Sequence, residues 1–155
     1  MRHFAVLTLC LLLAACGFEP VYGPGGTGTA LQNRVQVDTP IDREGFLLVR
    51  QLEERLGRAG DPAYALGVRL SVFEEARAID PDGDLRRFHM IGQAEYTLKD
   101  LSTGAIVSAN SVDNFVGYSA TGTTVATLAA KRDATERLMT ILADEIVLQL
   151  QASTL

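Results

Sequence analysis

The fold of this chain is decided by one stretch, Tyr64-Ala65-Leu66-Gly67-Val68-Arg69-Leu70-Ser71-Val72. Large apolar side chains occupy every second position of it, and small or polar side chains lie between them. This strict period of two is the pattern of a β-strand that buries one face and leaves the other open. The strand is predicted to continue through Phe73 to Arg77, and an Asp-rich turn at 80–84 follows it.

The remaining elements follow from the periods of two and 3.6 on either side of this strand. They are a short strand at 31–37, a helix from an N-cap at Asp42 to about Arg58, strands at 88–98 and 105–118, and a helix at 125–150. A turn at 100–104 joins the last two strands, and the register of the fourth strand stays open because its alternation is ambiguous. The order β-α-β-β-β-α predicts an α+β two-layer sandwich, with a four-stranded, mostly antiparallel sheet and two helices on one face.

The sheet face opposite the helices is predicted to be partly apolar. Its polar members would be Arg69, Ser71, Gln93, Glu95 and Thr97, and its apolar members Phe73 and Ile91. A partly apolar open face is typical of a surface that binds a partner or a ligand. Apolar residues scattered singly over a surface are equally consistent with the pattern.

The chain begins with the features of an export signal. A short positive segment at 1–3 precedes an almost wholly apolar run at 4–13, which is too short to span a bilayer as a helix. The run ends in Leu13-Ala14-Ala15-Cys16-Gly17. Residues 1–15 are therefore predicted to be a signal peptide that is removed before Cys16.

The stretch around Cys16 resembles the lipobox of bacterial lipoproteins. The resemblance implies that Cys16 carries a diacylglyceryl group on its thiol and an acyl group such as palmitate on its new amino group. Each buried methylene contributes only ~0.8 kcal/mol, so two or more chains are needed for stable anchoring. Gly17, where an Asp would favour retention, suggests the outer membrane. The alternative is an ordinary cleaved signal in which the cysteine is coincidental.

Residues 16–30 are predicted to be the lipidated N-terminus and a flexible tether, and 31–155 a single domain. Gly23, Gly25 and Gly28 match the letters of a dinucleotide-binding loop. That loop requires a preceding strand and a following helix, and neither is predicted here. The glycines are therefore interpreted as part of the tether.

Composition excludes several classes of function. The predicted signal holds one of the 14 basic residues and none of the 19 acidic residues, which leaves 13 against 19 and a net charge of −6. This balance argues against general nucleic-acid binding. Removal of the signal takes away His3 and Cys10, and lipidation uses Cys16. The mature chain then keeps His89 as its one histidine and has no free cysteine, so neither a zinc site nor a cysteine nucleophile is predicted. No cofactor and no catalytic activity are expected, and the pattern favours a binding or assembly protein.

Three features together resemble the LptE family of lipopolysaccharide-assembly lipoproteins. They are the run Cys16-Gly17-Phe18-Glu19-Pro20-Val21-Tyr22-Gly23, the predicted order of elements, and the stretch Gly92-Gln93-Ala94-Glu95-Tyr96. The resemblance implies a lipid-anchored protein on the periplasmic side of the outer membrane, within or beside the β-barrel LptD. There it would act as a plug and support the delivery of lipopolysaccharide to the outer leaflet.

The resemblance also implies direct binding of lipopolysaccharide by basic residues near one end of the domain. The candidates are Arg86, Arg87, His89, Lys131 and Arg132, and candidate partner contacts are Thr103 and Thr121. The alternative is ordinary surface charge paired with Asp82, Asp84 and Asp133. An alternative function is a stand-alone periplasmic lipoprotein that binds a small apolar ligand or forms a structural link.

Overall fold

A computed structural model describes residues 21–23, 26–79, 85–120 and 122–153. Its elements, in chain order, are α1 (Thr27–Leu31), β1 (Val35–Val37), α2 (Arg43–Leu56), β2 (Tyr64–Ile79), β3 (Leu85–Asp100), β4 (Ile106–Ser119) and α3 (Thr124–Ala152). The predicted signal peptide and Cys16 lie outside these residues, as does the predicted Asp-rich turn at 80–84.

The four strands form one sheet in the order β1-β2-β3-β4. β1 pairs parallel with β2 over three residues, and the other two pairings are antiparallel and long. β2 and β3 each contain 16 residues and β4 contains 14. The predicted α+β class with a mixed, mostly antiparallel sheet is confirmed.

Both long helices pack on one face of the sheet, and the core lies between these two layers. On the sheet side, alternate residues of β3 are buried, among them Met90, Ala94, Tyr96 and Leu98. On the helix side, buried residues recur at helical spacing, among them Leu138, Leu142, Ile146 and Leu150 of α3. The alternate residues of the strand and the helically spaced residues of α3 therefore pack together in one apolar layer.

Helical spacing predicts an apolar face of Phe46, Val49, Leu52 and Leu56 for α2, and the buried face is turned from it by about one residue. Asp42 caps this helix as expected, because its Oδ1 accepts a hydrogen bond of 2.7 Å from the Gly45 backbone N–H. However, Leu47 and Leu48 are buried with the later leucines of the helix, whereas Phe46 is exposed. Apolar residues occupy 46 to 49 without a break, so the sequence did not determine which pair faces the core.

Residues 21–31 differ from the predicted tether and first strand. Thr27–Leu31 is a short helix whose Leu31 is fully buried, and the strand begins only at Val35. The Gly28 N–H donates to the Val21 carbonyl at 3.0 Å, and the Tyr22 hydroxyl accepts a hydrogen bond of 2.6 Å from Gln151 Nε2. The segment Val21–Gly23 is thus joined to α1 and to the C-terminal end of α3.

Candidate functional site

The ends of the strands and helices define two opposite ends of the domain. At one end β3 and α3 begin and β4 finishes, since Arg87 pairs with Ser119 only five residues before α3 starts. We call it the basic end, because Arg87, His89, Lys131 and Arg132 belong to it. The turn 100–105 and the C-terminus of α3 lie at the other end. Thr103, one of the two predicted partner contacts, lies in the turn at this other end, and Thr121, the second, lies outside the described residues.

The basic residues at this end lie on two different faces. His89 pairs with Gly117 on the open face of the sheet, and its ring stacks on Phe115 with centroids 4.6 Å apart. Lys131 lies on the helix side, where its ammonium forms an ion pair with Glu74. Arg87 and Arg132 are exposed, and the side chain of Arg86 lies outside the described residues. The predicted cluster therefore shares one end of the domain but not one surface.

Glu74 is the centre of a polar link among three elements. Its carboxylate also accepts a hydrogen bond of 2.8 Å from the Tyr118 hydroxyl, so β2, β4 and α3 meet at this side chain. Partial burial pushes the pKa of Glu74 upward, but the hydrogen bonds from Lys131 and Tyr118 outweigh it and leave the pKa below its usual value. Burial and the neighbouring Glu74 carboxylate raise the pKa of Tyr118 to about 12.

Phe73, Ile91 and Phe115 form an apolar row across the open face. Phe73 is paired with Ile91, and Ile91 with Phe115, so the three side chains are direct cross-strand neighbours. Phe73 is 47% exposed and Phe115 is 56% exposed. The sequence indicated Phe73 and Ile91 but missed Phe115, because the register of β4 was open. Phe115 is out of phase with the buried residues Val112, Val116 and Tyr118, and that phase is the signal that could have found it.

A groove runs along the edge of β2 that faces the loop 38–42 and α2. It begins with a cavity of about 450 Å³, and a second cavity of about 330 Å³ shares Asp42 and Leu70 with the first and reaches Lys131. We call the two together the edge groove. Its lining combines apolar side chains of α2 and β2 with several carboxylates.

Neither a metal-binding cluster nor a membrane-spanning helix is found in the described part of the chain. There, no group of three or more His, Cys, Asp or Glu side chains is arranged to hold a metal ion. No helix among the described residues is both long and apolar enough to cross a membrane.

An α+β domain with a helix-covered sheet is also the architecture of several bacterial lipoproteins of known structure. A lipoprotein from Caulobacter crescentus CB15 is 30% identical, with a TM-score of 0.67 over 84% of this chain and 96% of that one. Rare lipoprotein B from Shewanella oneidensis has a TM-score of 0.57 at 15% identity, covering 77% of this chain and 92% of its own. A minor lipoprotein from Acinetobacter baumannii has a TM-score of 0.55 at 14% identity, covering 79% and 94%.

The family model described as LptE, lipopolysaccharide-assembly, matches residues 32–150. The matched range contains all four strands, α2 and nearly all of α3. The chain therefore belongs to the LptE family of lipopolysaccharide-assembly lipoproteins. No curated protein sequence matches it.

Proposed function

We propose that this chain is an outer-membrane lipoprotein that supports and plugs an LptD-like β-barrel during the transport of lipopolysaccharide to the outer leaflet. The observation that carries the proposal is the family match over 32–150, which contains the complete sheet. The proposed role is assembly and not catalysis, with lipid groups attached to Cys16.

The open face supports a protein partner. The row of Phe73, Ile91 and Phe115 presents two half-exposed aromatic rings on a rigid sheet, and exposed aromatic side chains are frequent anchors of protein interfaces. The rows beside it are polar, with Ser71, Gln93 and Asp113 across one neighbouring set of positions. A permanent interface of this kind is expected to bury ~2,000 Å² or more.

The basic end supports a direct contact with lipopolysaccharide, whose lipid A phosphates are anionic. Arg87 and Arg132 are exposed there, and an arginine binds a phosphate through two parallel hydrogen bonds. Lys131 would have to leave Glu74 to reach a phosphate. We therefore assign the first contact to the arginines and a later one to Lys131.

Photo-crosslinking in cells tests the plug. A crosslinking amino acid at Thr103, at Thr121 or at Phe115 should capture one heavy partner of barrel size, and the complex should survive detergent extraction because a large interface dissociates slowly. Crosslinks only to small soluble proteins, or none from a folded and lipidated chain, would contradict the plug and favour the stand-alone lipoprotein.

Lipopolysaccharide binding is tested by replacing Arg86, Arg87, Lys131 and Arg132 together by Ser. Binding should weaken several-fold, since charge-assisted hydrogen bonds to phosphate are lost. Lys131→Ser also leaves Glu74 without its ion pair. A variant that replaces only Arg86, Arg87 and Arg132 is therefore the cleaner test of contact with lipopolysaccharide, and its Tm should stay unchanged. The matched control is Arg50→Ser on the exposed face of α2. Unaltered binding by the quadruple variant would refute the site.

A further inference from the structure

β2 has an open edge over most of its length. β1 pairs with it only from Tyr64 to Leu66, and one more hydrogen bond follows, from the Asp38 N–H to the Leu66 carbonyl at 3.0 Å. Within the described part of the chain no strand pairs with this side of β2 beyond Leu66. Peptide groups alternate in direction along a strand, so those of Val68, Leu70 and Val72 point toward the open edge, as that of Leu66 does.

Three usual protections of an exposed edge, namely proline, lysine and a bulge, are missing from the stretch 67–75. Natural edge strands carry proline or lysine, are short, or are twisted away by bulges. The stretch 67–75 contains neither residue, and the only irregularity of β2 comes later, between Ala76 and Ile79. The guanidinium of Arg69 lies across the open face and binds Glu95 at 2.7 Å, so it does not shield the edge.

The edge groove has the shape for one extended chain. Beyond Asp38, the loop 39–42 and the first turns of α2 form the side of the groove opposite β2, and their apolar members line it together with those of the strand. Ile41 is 98% exposed, an unusual state for a large apolar side chain. The groove follows β2 from Gly67 to Glu74, about eight residues, which is the length of an ordinary strand.

The charge of the groove selects the occupant. Its two cations are already neutralised, Arg69 by Glu95 and Lys131 by Glu74. The carboxylates that line it besides these are Asp38, Asp42 and Glu44. The groove therefore presents net negative charge to whatever lies in it, and charge complementarity favours a basic occupant.

We propose that the edge groove binds an extended, basic segment of a partner polypeptide, which adds to β2 as a further strand in line with β1. Main-chain hydrogen bonds to Val68, Leu70 and Val72 provide affinity. Alternate apolar side chains of the segment pack beside Ile41, and its Lys or Arg side chains face Asp38 and Glu44. The segment is a loop or terminal arm of the partner, since strands already paired within a closed sheet have no free edge. The proposal does not depend on the plug function.

The test uses the full-length chain in detergent and a synthetic octapeptide of alternating Val and Lys. Fluorescence anisotropy of the labelled peptide should show saturable binding that weakens with salt, because the carboxylates contribute. Hydrogen exchange should slow at the amides of Val68, Leu70 and Val72. The double variant Asp38→Asn with Glu44→Gln should bind about fivefold more weakly or worse, whereas Asp113→Asn on the open face should bind normally.

Two further peptides make the test decisive. Alternating Val and Glu should bind at least about tenfold more weakly, since it places like charges together. A Val-Lys peptide with a central proline should also fail, because proline cannot continue the hydrogen-bond ladder. The proposal would be overturned if either of these peptides bound as tightly as the Val-Lys peptide. It would also be overturned if the Val-Lys peptide did not bind, or if it slowed hydrogen exchange elsewhere than on β2. A dimer that protects this edge without peptide would overturn it too, because a second copy would then be the occupant.

Discussion

At the scale of single residues, two glycines report how closely the backbone is packed. Gly57 ends α2 with φ of +75°, and a Cβ at this position would lie 2.0 Å from Asn33 Oδ1. The Asn33 N–H also donates to the Leu56 carbonyl at 2.7 Å, so the two turns are locked together. Gly57 therefore joins the C-terminus of α2 to the start of β1.

Gly57→Ala should lower the free energy of unfolding by about 1–3 kcal/mol. The reason is twofold, because alanine is strained at positive φ and its methyl group displaces Asn33. Denaturant titration followed by circular dichroism measures the change. The control is Gly60→Ala, where a Cβ meets nothing within 4 Å. Equal stability of the Gly57 variant and the parent would show that the turn relaxes freely.

Gly92 lies on the face of β3 that α3 covers, and it is packed closely against that helix. A Cβ there would lie 2.8 Å from Leu142 Cδ1 and 3.1 Å from Leu138 Cδ2. Gly92→Ala should therefore destabilise the domain by ~1–3 kcal/mol through overpacking. Gly117→Ala on the open face is the matched control, since its Cβ makes only ordinary contact with His89. A Tm loss of the same size in both variants would refute this explanation.

At the scale of elements, the link at Glu74 makes stability depend on pH. The pKa of Tyr118 rises from 10.0 to about 12 in the folded chain, so the folded state holds the phenol proton more tightly. Its contribution to stability is complete below pH 10 and is lost as pH rises from 10 to 12. The pKa of Glu74 is lowered, so its contribution is present above the ordinary carboxyl pKa and is lost on acidification below it.

Tyr118→Phe should remove part of the alkaline loss of stability. The difference in unfolding free energy between the parent and the variant should be constant up to pH 10 and should shrink between pH 10 and 12. Urea unfolding at closely spaced pH values measures it, and the difference excludes lysines, which titrate in both proteins. A difference that does not vary across this interval would show that the Tyr118 proton is not held by Glu74.

The order and type of the long elements were predictable, because the periods of two and 3.6 are clear in Tyr64–Val72 and in α3. Of the short elements, β1 was predicted but begins at Val35 and not at Leu31, and α1 was missed because so few residues fit either period. The phase of β4 changes at an irregularity between Leu98 and Lys99, where pairing moves from Ser108 to Ile106. This irregularity breaks the alternation over the whole predicted strand, so its register stayed open and Phe115 was missed, although the regular part beyond it carries the phase that indicates Phe115.

The candidate site was also predictable only in part. Chain order placed Arg87, His89, Lys131 and Arg132 near one end of the domain. The division between two faces was not predicted, because it depends on which partner each side chain finds. Lys131 pairs with Glu74 across 57 positions of sequence, and no local pattern indicates that pair.

At the scale of the whole molecule, the proposed attachment to the membrane depends on Cys16. Cys16→Ser should block lipid attachment and leave the precursor uncut, because processing of a lipobox requires the modified thiol. Mass spectrometry of the N-terminus checks both effects, with Cys10→Ser as the control for loss of a cysteine. An unmodified parent chain that begins at another residue would remove the anchor from the proposed function.

Because Tyr22 is hydrogen-bonded to Gln151, the length of α3 sets the distance between the N-terminal segment and the basic end. Gln151 and Lys131 are 20 residues apart on one helix, a rise of ~30 Å. That is about the thickness of the hydrocarbon core of a bilayer. With a lipid on Cys16, only residues 17–20 separate the membrane anchor from the segment held against the end of this helix. The domain is then attached to the membrane near the C-terminal end of α3, and the basic end lies about one membrane thickness away from that attachment.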